Sequence, residues 1–278
     1  MAEVKMDRSA KAGRLPKIIL SGISKRFQSR RQTITAVEDV NMSVNTGEFV
    51  SIVGPSGCGK STIIRMIDGI IRPSSGKITI GGNEIDSQTK ITQEIVGKIG
   101  FTFQLPNLYP WMTIRENVAL PLKIFGLRGS DWEDYVTYLL QTVKLEQYAD
   151  KYPTEISGGM LQRAGVIRAM VYRPEILLMD EPFGALDEMT REELNLELLD
   201  IWADTGLTII FITHNVQEAV LLSDRIYVMS TNPGKIISEV QIGLPRERTL
   251  EMTNEDQFIA YCDTITRKIG TVNLDKIK

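Results

Sequence analysis

A run of eight residues has the composition of a loop that binds phosphate groups. It follows an apolar segment at 49–53, precedes apolar residues at helical spacing, and reads Gly54-Pro55-Ser56-Gly57-Cys58-Gly59-Lys60-Ser61. Glycines let successive backbone N–H groups turn towards phosphate oxygens, and a helix N-terminus adds partial positive charge at the same place. The pattern predicts a nucleotide site in which Lys60 neutralises the β- and γ-phosphates, Ser61 binds Mg²⁺ and Thr62 reaches the α-phosphate. The alternative is a glycine-rich connecting turn.

Two further strand-like segments end in side chains that could act on a bound nucleotide. The segment 176–179 is followed by Asp180 and Glu181, and the segment 207–213 is followed by His214, the only histidine in the chain. Ligands bind at the carboxyl edge of open parallel sheets. We therefore expect Asp180 to hold Mg²⁺, Glu181 to polarise the water that attacks the γ-phosphate, and His214 to contact that phosphate or Glu181. Alone, the acids would indicate a solvated loop and the histidine a structural or exposed residue.

The elements that must position these side chains follow from the periodicity. Strand and helix patterns alternate along most of the chain, which predicts a mostly parallel sheet covered by helices. The strand pattern is absent between about Thr113 and Met170, where Thr113-x-x-Glu116 and Ser130-x-x-Glu133 each predict a capped helix start. The fold class is therefore α/β, with a phosphate-loop NTPase core and a helical insertion.

A second, smaller layer of strands is expected beside the nucleotide site. Residues 17–50 and 77–85 contain short alternating patterns, and Gly81-Gly82-Asn83 predicts a hairpin turn. These segments predict a small antiparallel β layer.

Length and composition limit the organisation of the chain. It has 278 residues, and no apolar run approaches the roughly 18 residues that cross a bilayer. We expect a flexible tail at 1–16, which lacks the apolar core of a secretory signal. A nucleotide-binding domain is expected at 17–245, with a helical subdomain at about 105–170, and a C-terminal helical tail at 246–278.

Charge and cysteine content exclude several classes of function. A net charge of −3 offers no basic field for nucleic acid. Two isolated cysteines, Cys58 and Cys262, exclude a disulfide framework and a cysteine zinc site, and they fit the reducing cytosol. Because Cys58 lies within the phosphate loop, a bulky thiol reagent is expected to block nucleotide binding, unless the thiol is buried and inert.

One segment indicates which phosphate-loop family the chain resembles. It precedes the Asp180 strand and reads Ile156-Ser157-Gly158-Gly159-Met160-Leu161-Gln162-Arg163. Read alone, the segment predicts a helix with a capping serine. Because it lies between the phosphate loop and the Asp180 strand, it resembles the signature motif of the ATP-binding-cassette (ABC) family. The resemblance covers about residues 17–240 and implies that the chain binds and hydrolyses ATP with Mg²⁺.

The resemblance also implies roles for residues outside these motifs. Ser157 and the two glycines after it would serve the ATP held by a second subunit, so that each ATP lies between two chains. Gln104 would contact Mg²⁺ or the attacking water, and Asp187 would couple the two sites across the interface. Phe27 would stack on adenine, a contact that contributes about 1 kcal/mol. Core packing is the alternative for Phe27, and helix capping is the alternative for Asp187.

An apolar, proline-broken segment at 105–114 predicts a contact with a partner protein. In the ABC family this region helps to form a groove for a cytoplasmic helix of the membrane subunit. The alternative for Trp111 in this segment is packing within the helical insertion. The resemblance therefore implies a transmembrane permease as partner, a second and identical ATP-binding subunit, and a location at the cytoplasmic face of the membrane.

The residues around Trp111 and the stretch Leu244-Pro-Arg-Glu-Arg resemble one branch of importers. These importers carry nitrate, sulfonates, taurine or bicarbonate, and the branch implies an indirect partner, a solute-binding protein. One rival is a non-transport ABC ATPase of DNA repair or ribosomes, but those relatives commonly carry coiled-coil insertions or tandem cassettes. A phosphate-loop kinase is a second rival, and it leaves the segment at 157–162 unexplained.

Overall fold

The computed structural model of the protein describes residues 15–28, 32–89 and 92–274. The flexible tail expected at 1–16 therefore lies outside the described residues, apart from its last two positions. Within the described ranges no helix is both long and apolar enough to cross a bilayer.

The described residues form ten strands, eight α-helices and three short 3₁₀ helices, the last at Glu146–Tyr148, Pro153–Glu155 and Leu250–Asn254. In chain order the strands are β1 (Pro16–Gln28), β2 (Thr33–Asn45), β3 (Phe49–Val53), β4 (Ser75–Ile80), β5 (Asn83–Ile85), β6 (Ile99–Thr102), β7 (Ile176–Asp180), β8 (Thr208–Thr213), β9 (Arg225–Met229) and β10 (Ile236–Gln241). The helices are α1 (Lys60–Ile67), α2 (Gln93–Val96), α3 (Ile114–Ile124), α4 (Ser130–Thr142), α5 (Gly158–Met170), α6 (Glu188–Thr205), α7 (Val216–Leu222) and α8 (Asp256–Leu274).

The larger sheet has the strand order β10-β9-β3-β8-β7-β6, and only the β10–β9 pair is antiparallel. Every residue of β3, β7 and β8 is buried. Continuous apolar runs of this kind are typical of parallel strands that are covered on both faces. The carboxyl ends of β3, β7 and β8 lie side by side, so the residues that follow them meet at one edge.

The two faces of the larger sheet pack against different layers, because successive side chains of a strand point to opposite faces. One face carries Phe49 and packs on the helical insertion and on α6, α7 and α8. The Phe49 ring meets the Trp202 ring edge-on at 5.5 Å between centroids. The other face carries Val50 and Ile52 and packs on α1 and the smaller sheet. The C-terminal helix α8 joins the first of these cores through Phe258 and Ile265.

The smaller sheet is antiparallel, in the order β2-β1-β4-β5, as the sequence predicted. Its hairpin turns through Gly81 and Gly82, both with positive φ, which glycine adopts without a steric penalty. The prediction of short strands was wrong for β1 and β2, which have thirteen residues each. The range 17–50 overlaps β3 at residues 49–50, and β3 itself lies where the apolar segment 49–53 was expected.

Helices α3, α4 and α5 lie between β6 and β7, where the helical insertion was predicted. At the start of α3, Glu116 N donates to the Thr113 hydroxyl and Thr113 N donates to the Glu116 carboxylate, which confirms the capping box. The capping box predicted at Ser130 was wrong. There the chain enters α4 through Gly129, with φ of 123°, and Ser130 is already the first helical residue.

Candidate functional site

The phosphate loop connects β3 to α1, and glycine geometry sets its path. Gly57 and Gly59 have φ values of 76° and 101°, which side chains rarely tolerate. A Cβ atom on Gly59 would lie 2.5 Å from Val37 Cγ1, so β2 supports the loop from behind. Because Gly59 is also the N-cap of α1 and has no side chain, the first N–H groups of this helix have no side-chain cap. Such a loop presents donors to an anion.

Lys60 lies over this loop, with its side chain only 4% exposed. Its ammonium group donates to Gly54 O at 2.9 Å and to Pro55 O at 3.2 Å. The same nitrogen lies 3.6 Å from Glu181 Oε1. A buried cation held in this way supplies charge beside the loop without needing to reorganise.

Ser61 and Asp180 meet where α1 begins and β7 ends. The Ser61 hydroxyl donates to Asp180 Oδ1 at 2.7 Å. Burial raises the pKa of Asp180, and the hydrogen bond from Ser61 and the charge of Arg65 oppose that rise. Sequence reasoning missed Arg65, whose guanidinium lies 3.6 Å from Asp180 Oδ2. The available signal was its spacing from Ser61, since residues four apart share a helix face.

Glu181 and His214 form the next pair along the edge. His214 Nδ1 lies 3.1 Å from Glu181 Oε2. The residues that follow β7 and β8 therefore meet at the carboxyl edge of the sheet, as expected. Glu181 has a positive φ of 47°, an uncommon conformation for a residue with a side chain, and its N–H donates to Ile212 O. Strain of this kind is typical of functional positions. We refer to Lys60, Ser61, Asp180, Glu181 and His214 as the sheet-edge cluster.

The remaining loop residues vary in exposure. Ser56 and Gly57 are exposed, whereas Cys58 is 1% exposed. Burial raises the pKa of the Cys58 thiol. The interpretation of Cys58 as an accessible target for bulky thiol reagents was therefore wrong, because the loop packs the thiol inwards. Thr62 is half-buried in the first turn of α1.

Gln104 and Phe27 lie at the ends of other strands. Gln104 follows β6, is exposed, and accepts a hydrogen bond from Gln162 Nε2 through its backbone oxygen. Phe27 lies near the end of β1 and is 44% exposed, which is inconsistent with core packing. The Lys25 ammonium lies 5.2 Å from the centre of its ring.

Three of the sequence-predicted site residues lie at helix starts and are exposed: Ser157, Gly158 and Asp187. We refer to them as the helix-end group. Ser157 caps α5 by accepting from Met160 N at 3.4 Å, and Asp187 caps α6 by accepting from Thr190 N at 3.0 Å. Gly159 packs so closely to α6 that a Cβ would lie 2.7 Å from Thr190 Cγ2. Within the described ranges, no hydrogen bond or ion pair joins the helix-end group to the sheet-edge cluster.

Comparison with known proteins decides the family. A family model described as ABC transporter matches residues 37–184. The chain is 40% identical over 253 residues to the nitrate import ATP-binding protein NrtD of Synechocystis sp., covering 89% of this chain and 92% of that protein. It is 41% identical over 240 residues to the aliphatic sulfonates import ATP-binding protein SsuB of Bacillus cereus, covering 86% and 92%. The chain belongs to the ABC transporter family.

A solved member of the ABC family has the same fold. The dimeric ATP-binding cassette MJ0796, in a post-hydrolysis state bound to ADP and Pi, superposes with a TM-score of 0.72 at 32% identity, covering 82% of this chain and all of that one. The chain is thus an ABC-type ATPase, and the predicted mostly parallel sheet with a small antiparallel layer is confirmed. The MJ0796 cassette is dimeric in that structure.

Proposed function

We propose that the chain is the ATP-hydrolysing subunit of an importer for a small anion, bound peripherally at the cytoplasmic face of the membrane. The observation that carries the hydrolytic part is the contact between Glu181 and His214 beside Lys60. The cargo class is supported by relatives named as import proteins for nitrate, aliphatic sulfonates, bicarbonate and taurine. A solute-binding protein would deliver the anion to the permease.

The donors present fit Mg²⁺. Ser61 and Asp180 place a hydroxyl and a carboxylate 2.7 Å apart, and hard oxygen ligands of this kind are those that Mg²⁺ prefers. Gln104 would add a third oxygen from the end of β6. Bound there with the nucleotide, Mg²⁺ would neutralise negative charge on the phosphates.

The side chains divide the work of hydrolysis by position. Lys60 and the N–H groups of the phosphate loop hold the β- and γ-phosphates. Glu181 accepts a proton from the attacking water, and His214, at hydrogen-bond distance, fixes the orientation of that carboxylate. Phe27 stacks on the adenine ring. The remaining anion contacts come from Ser157, Gly158 and Gly159 of a second copy, and Asp187 lies at the interface between the copies.

The segment 105–114 is the proposed contact with the permease. Trp111 is 70% exposed, and its ring lies 5.1 Å from that of Tyr109. The interpretation of Trp111 as packed within the insertion is therefore wrong. Beneath the segment, the fully buried Asn117 accepts from Tyr109 N and donates to the backbone oxygens of Tyr109, Met112 and Thr113. A rigid turn that presents exposed aromatic rings is suited to bind an apolar helix.

A pull-down from detergent-solubilised membranes tests this function. The tagged chain should recover a multi-span membrane protein, identified by mass spectrometry, and the purified complex in liposomes should import at least one of nitrate, a sulfonate, taurine or bicarbonate when ATP is added. Trp111→Ala should lose the membrane protein but keep the ATPase activity of the isolated subunit. Recovery of only ribosomal or DNA-repair components would reject the importer and favour the non-transport ABC ATPase.

A further inference from the structure

A buried carboxylate that the proposed chemistry does not use lies directly behind His214. Glu218 belongs to α7, four residues after His214, and is only 6% exposed. Burying a carboxyl group costs free energy, and an apolar residue of similar size would usually be as stable or more so. Packing alone therefore does not explain a glutamate at this position.

Glu218 holds the chain on both sides of His214. The Thr213 hydroxyl donates to Glu218 Oε2, and the same hydroxyl oxygen accepts from Asn215 N at 2.9 Å. The Asn215 side-chain oxygen in turn accepts from Glu218 N at 3.1 Å. The residues before and after His214 thus belong to one closed set of hydrogen bonds, with Glu218 at both ends of it.

The charge of Arg191, a residue of α6, acts on the same carboxyl group. Its other oxygen, Oε1, is buried and has no hydrogen-bond partner among the described residues. Arg191 donates to Leu186 O at 2.7 Å and to Phe183 O at 3.4 Å, which holds their loop against α6. Arg191 therefore supports the loop that follows Glu181, and its charge also acts on the carboxyl group that holds the residues beside His214.

Burial raises the pKa of Glu218, while the hydrogen bond from Thr213 and the charge of Arg191 lower it. Whichever protonation state is present, Oε2 can accept from Thr213, so the contact that orients the chain around His214 is retained. A glutamine would keep this acceptor, and a leucine would remove it.

We propose that Glu218 is a positioning residue that fixes the His214 imidazole against the Glu181 carboxylate. The inference rests on the proposed role of His214 in ATP hydrolysis. Because a displacement of about 1 Å from productive geometry can cost about 100-fold in rate, loss of the Glu218 acceptor should lower kcat by about 10- to 100-fold. The KM for ATP should stay unchanged, since Glu218 is buried and makes none of the nucleotide contacts proposed above.

The single histidine allows the geometry to be measured directly. After removal of any affinity tag, the imidazole nitrogen signals in an NMR spectrum come from His214 alone. Glu218→Leu and Thr213→Val should both move these signals and lower kcat, and Glu218→Gln should restore most of both. Glu48→Leu is the matched control. Glu48 is also 6% exposed and pairs with Arg225 at 2.9 Å, but it precedes β3, at the opposite edge of the sheet.

The control should lose stability while the His214 signals and kcat stay those of the wild type. Unchanged imidazole signals in folded Glu218→Leu, with no larger loss of kcat than in the control, would overturn the proposal. If Glu218→Leu does not fold, the same readings on Thr213→Val decide. Wild-type turnover in His214→Ala would instead refute the proposed role of His214, and the imidazole signals would still decide whether Glu218 positions it.

Discussion

The sheet-edge cluster and the helix-end group contain the residues expected to surround one ATP, yet their side chains make different kinds of contact. In the cluster, side chains from three strand ends bind one another, as in the 2.7 Å contact of Ser61 with Asp180 and the 3.1 Å contact of Glu181 with His214. In the helix-end group, Ser157 and Asp187 cap only their own helices and face solvent. One half of the proposed site is therefore organised within a chain, and the other half, in the function proposed above, is completed by a second chain. The comparison can be tested in four ways.

The largest effect is expected from the cluster. Glu181→Gln should lower kcat for ATP hydrolysis by about 1,000-fold, because a glutamine cannot accept the proton of the attacking water. Nucleotide affinity, measured by equilibrium titration, should be retained, and a stable ATP-bound dimer should accumulate. Glu133→Gln changes an exposed acid at the start of α4 and serves as the control. Steady-state turnover at the wild-type level in Glu181→Gln would reject Glu181 as the base.

A smaller loss is expected when charge is added to the helix-end group. Aspartate caps a helix as well as serine does, so Ser157→Asp should leave the thermal stability of the subunit unchanged. Its carboxylate should nevertheless repel the γ-phosphate of the partner's ATP and lower hydrolysis by about 100-fold, the size of losing a preorganised anion donor. Thr113→Asp makes the comparable exchange at the capping position of α3 and should keep full activity. Equal activity of the two variants would show that Ser157 only caps α5.

Mixing two inactive variants sharpens the comparison further. Lys60→Ala damages the cluster and Ser157→Asp damages the helix-end group, so a mixed dimer keeps one site in which both halves are intact. Random pairing of equal amounts in a two-fold symmetric dimer should restore about a quarter of wild-type turnover. The unmixed variants at the same total concentration are the controls. No recovery after mixing, with mixed dimers shown by mass, would place both halves of the site in one chain.

The smallest effect concerns reactivity rather than turnover. Burial raises the pKa of Cys58, and burial followed by the charge of Asp263 raises that of Cys262 to about 11, so neither native thiol should react quickly at neutral pH. Ser157→Cys would place an exposed thiol at a helix N-terminus, where the thiolate is favoured. Peptide mass spectrometry should show fast labelling of position 157, slowed by ATP in a Glu181→Gln background. Labelling of Cys58 at the same rate would contradict the inward packing of the loop.

The sheet-edge cluster was predictable because its residues follow strands directly in the sequence. The phosphate loop, the Asp180–Glu181 pair and His214 each succeed an apolar run, and parallel strands bring such positions to one edge. Arg65 and Glu218 were missed, because each acts through a contact between helices and strand ends that local patterns do not show. The burial of Cys58 was equally inaccessible, since it depends on packing around a loop whose motif favours exposure.

Other errors in the fold have separate physical causes. Strands β6 and β10 were not identified from the sequence. The first has only four residues, and the second is an edge strand with a weak apolar pattern. The helix start at Ser130 was predicted from the capping pattern. In the structure the N-cap is Gly129, whose positive φ cannot be inferred from that pattern. Strand lengths in the smaller sheet depend on pairing partners, which sequence patterns do not specify.

The close contact between Gly100 of β6 and α5 has a mechanical consequence. A Cβ on Gly100 would lie 2.3 Å from Ala169 O, so the last turn of α5 is seated directly on the sheet, while Ser157 lies at the other end of the helix. Thirteen helical residues span about 20 Å. A rotation of about 10° around the Gly100 contact would swing Ser157 through about 3 Å, roughly the length of one hydrogen bond. A methyl group at position 100 would therefore displace Ser157, the residue proposed to contact the nucleotide of a second copy.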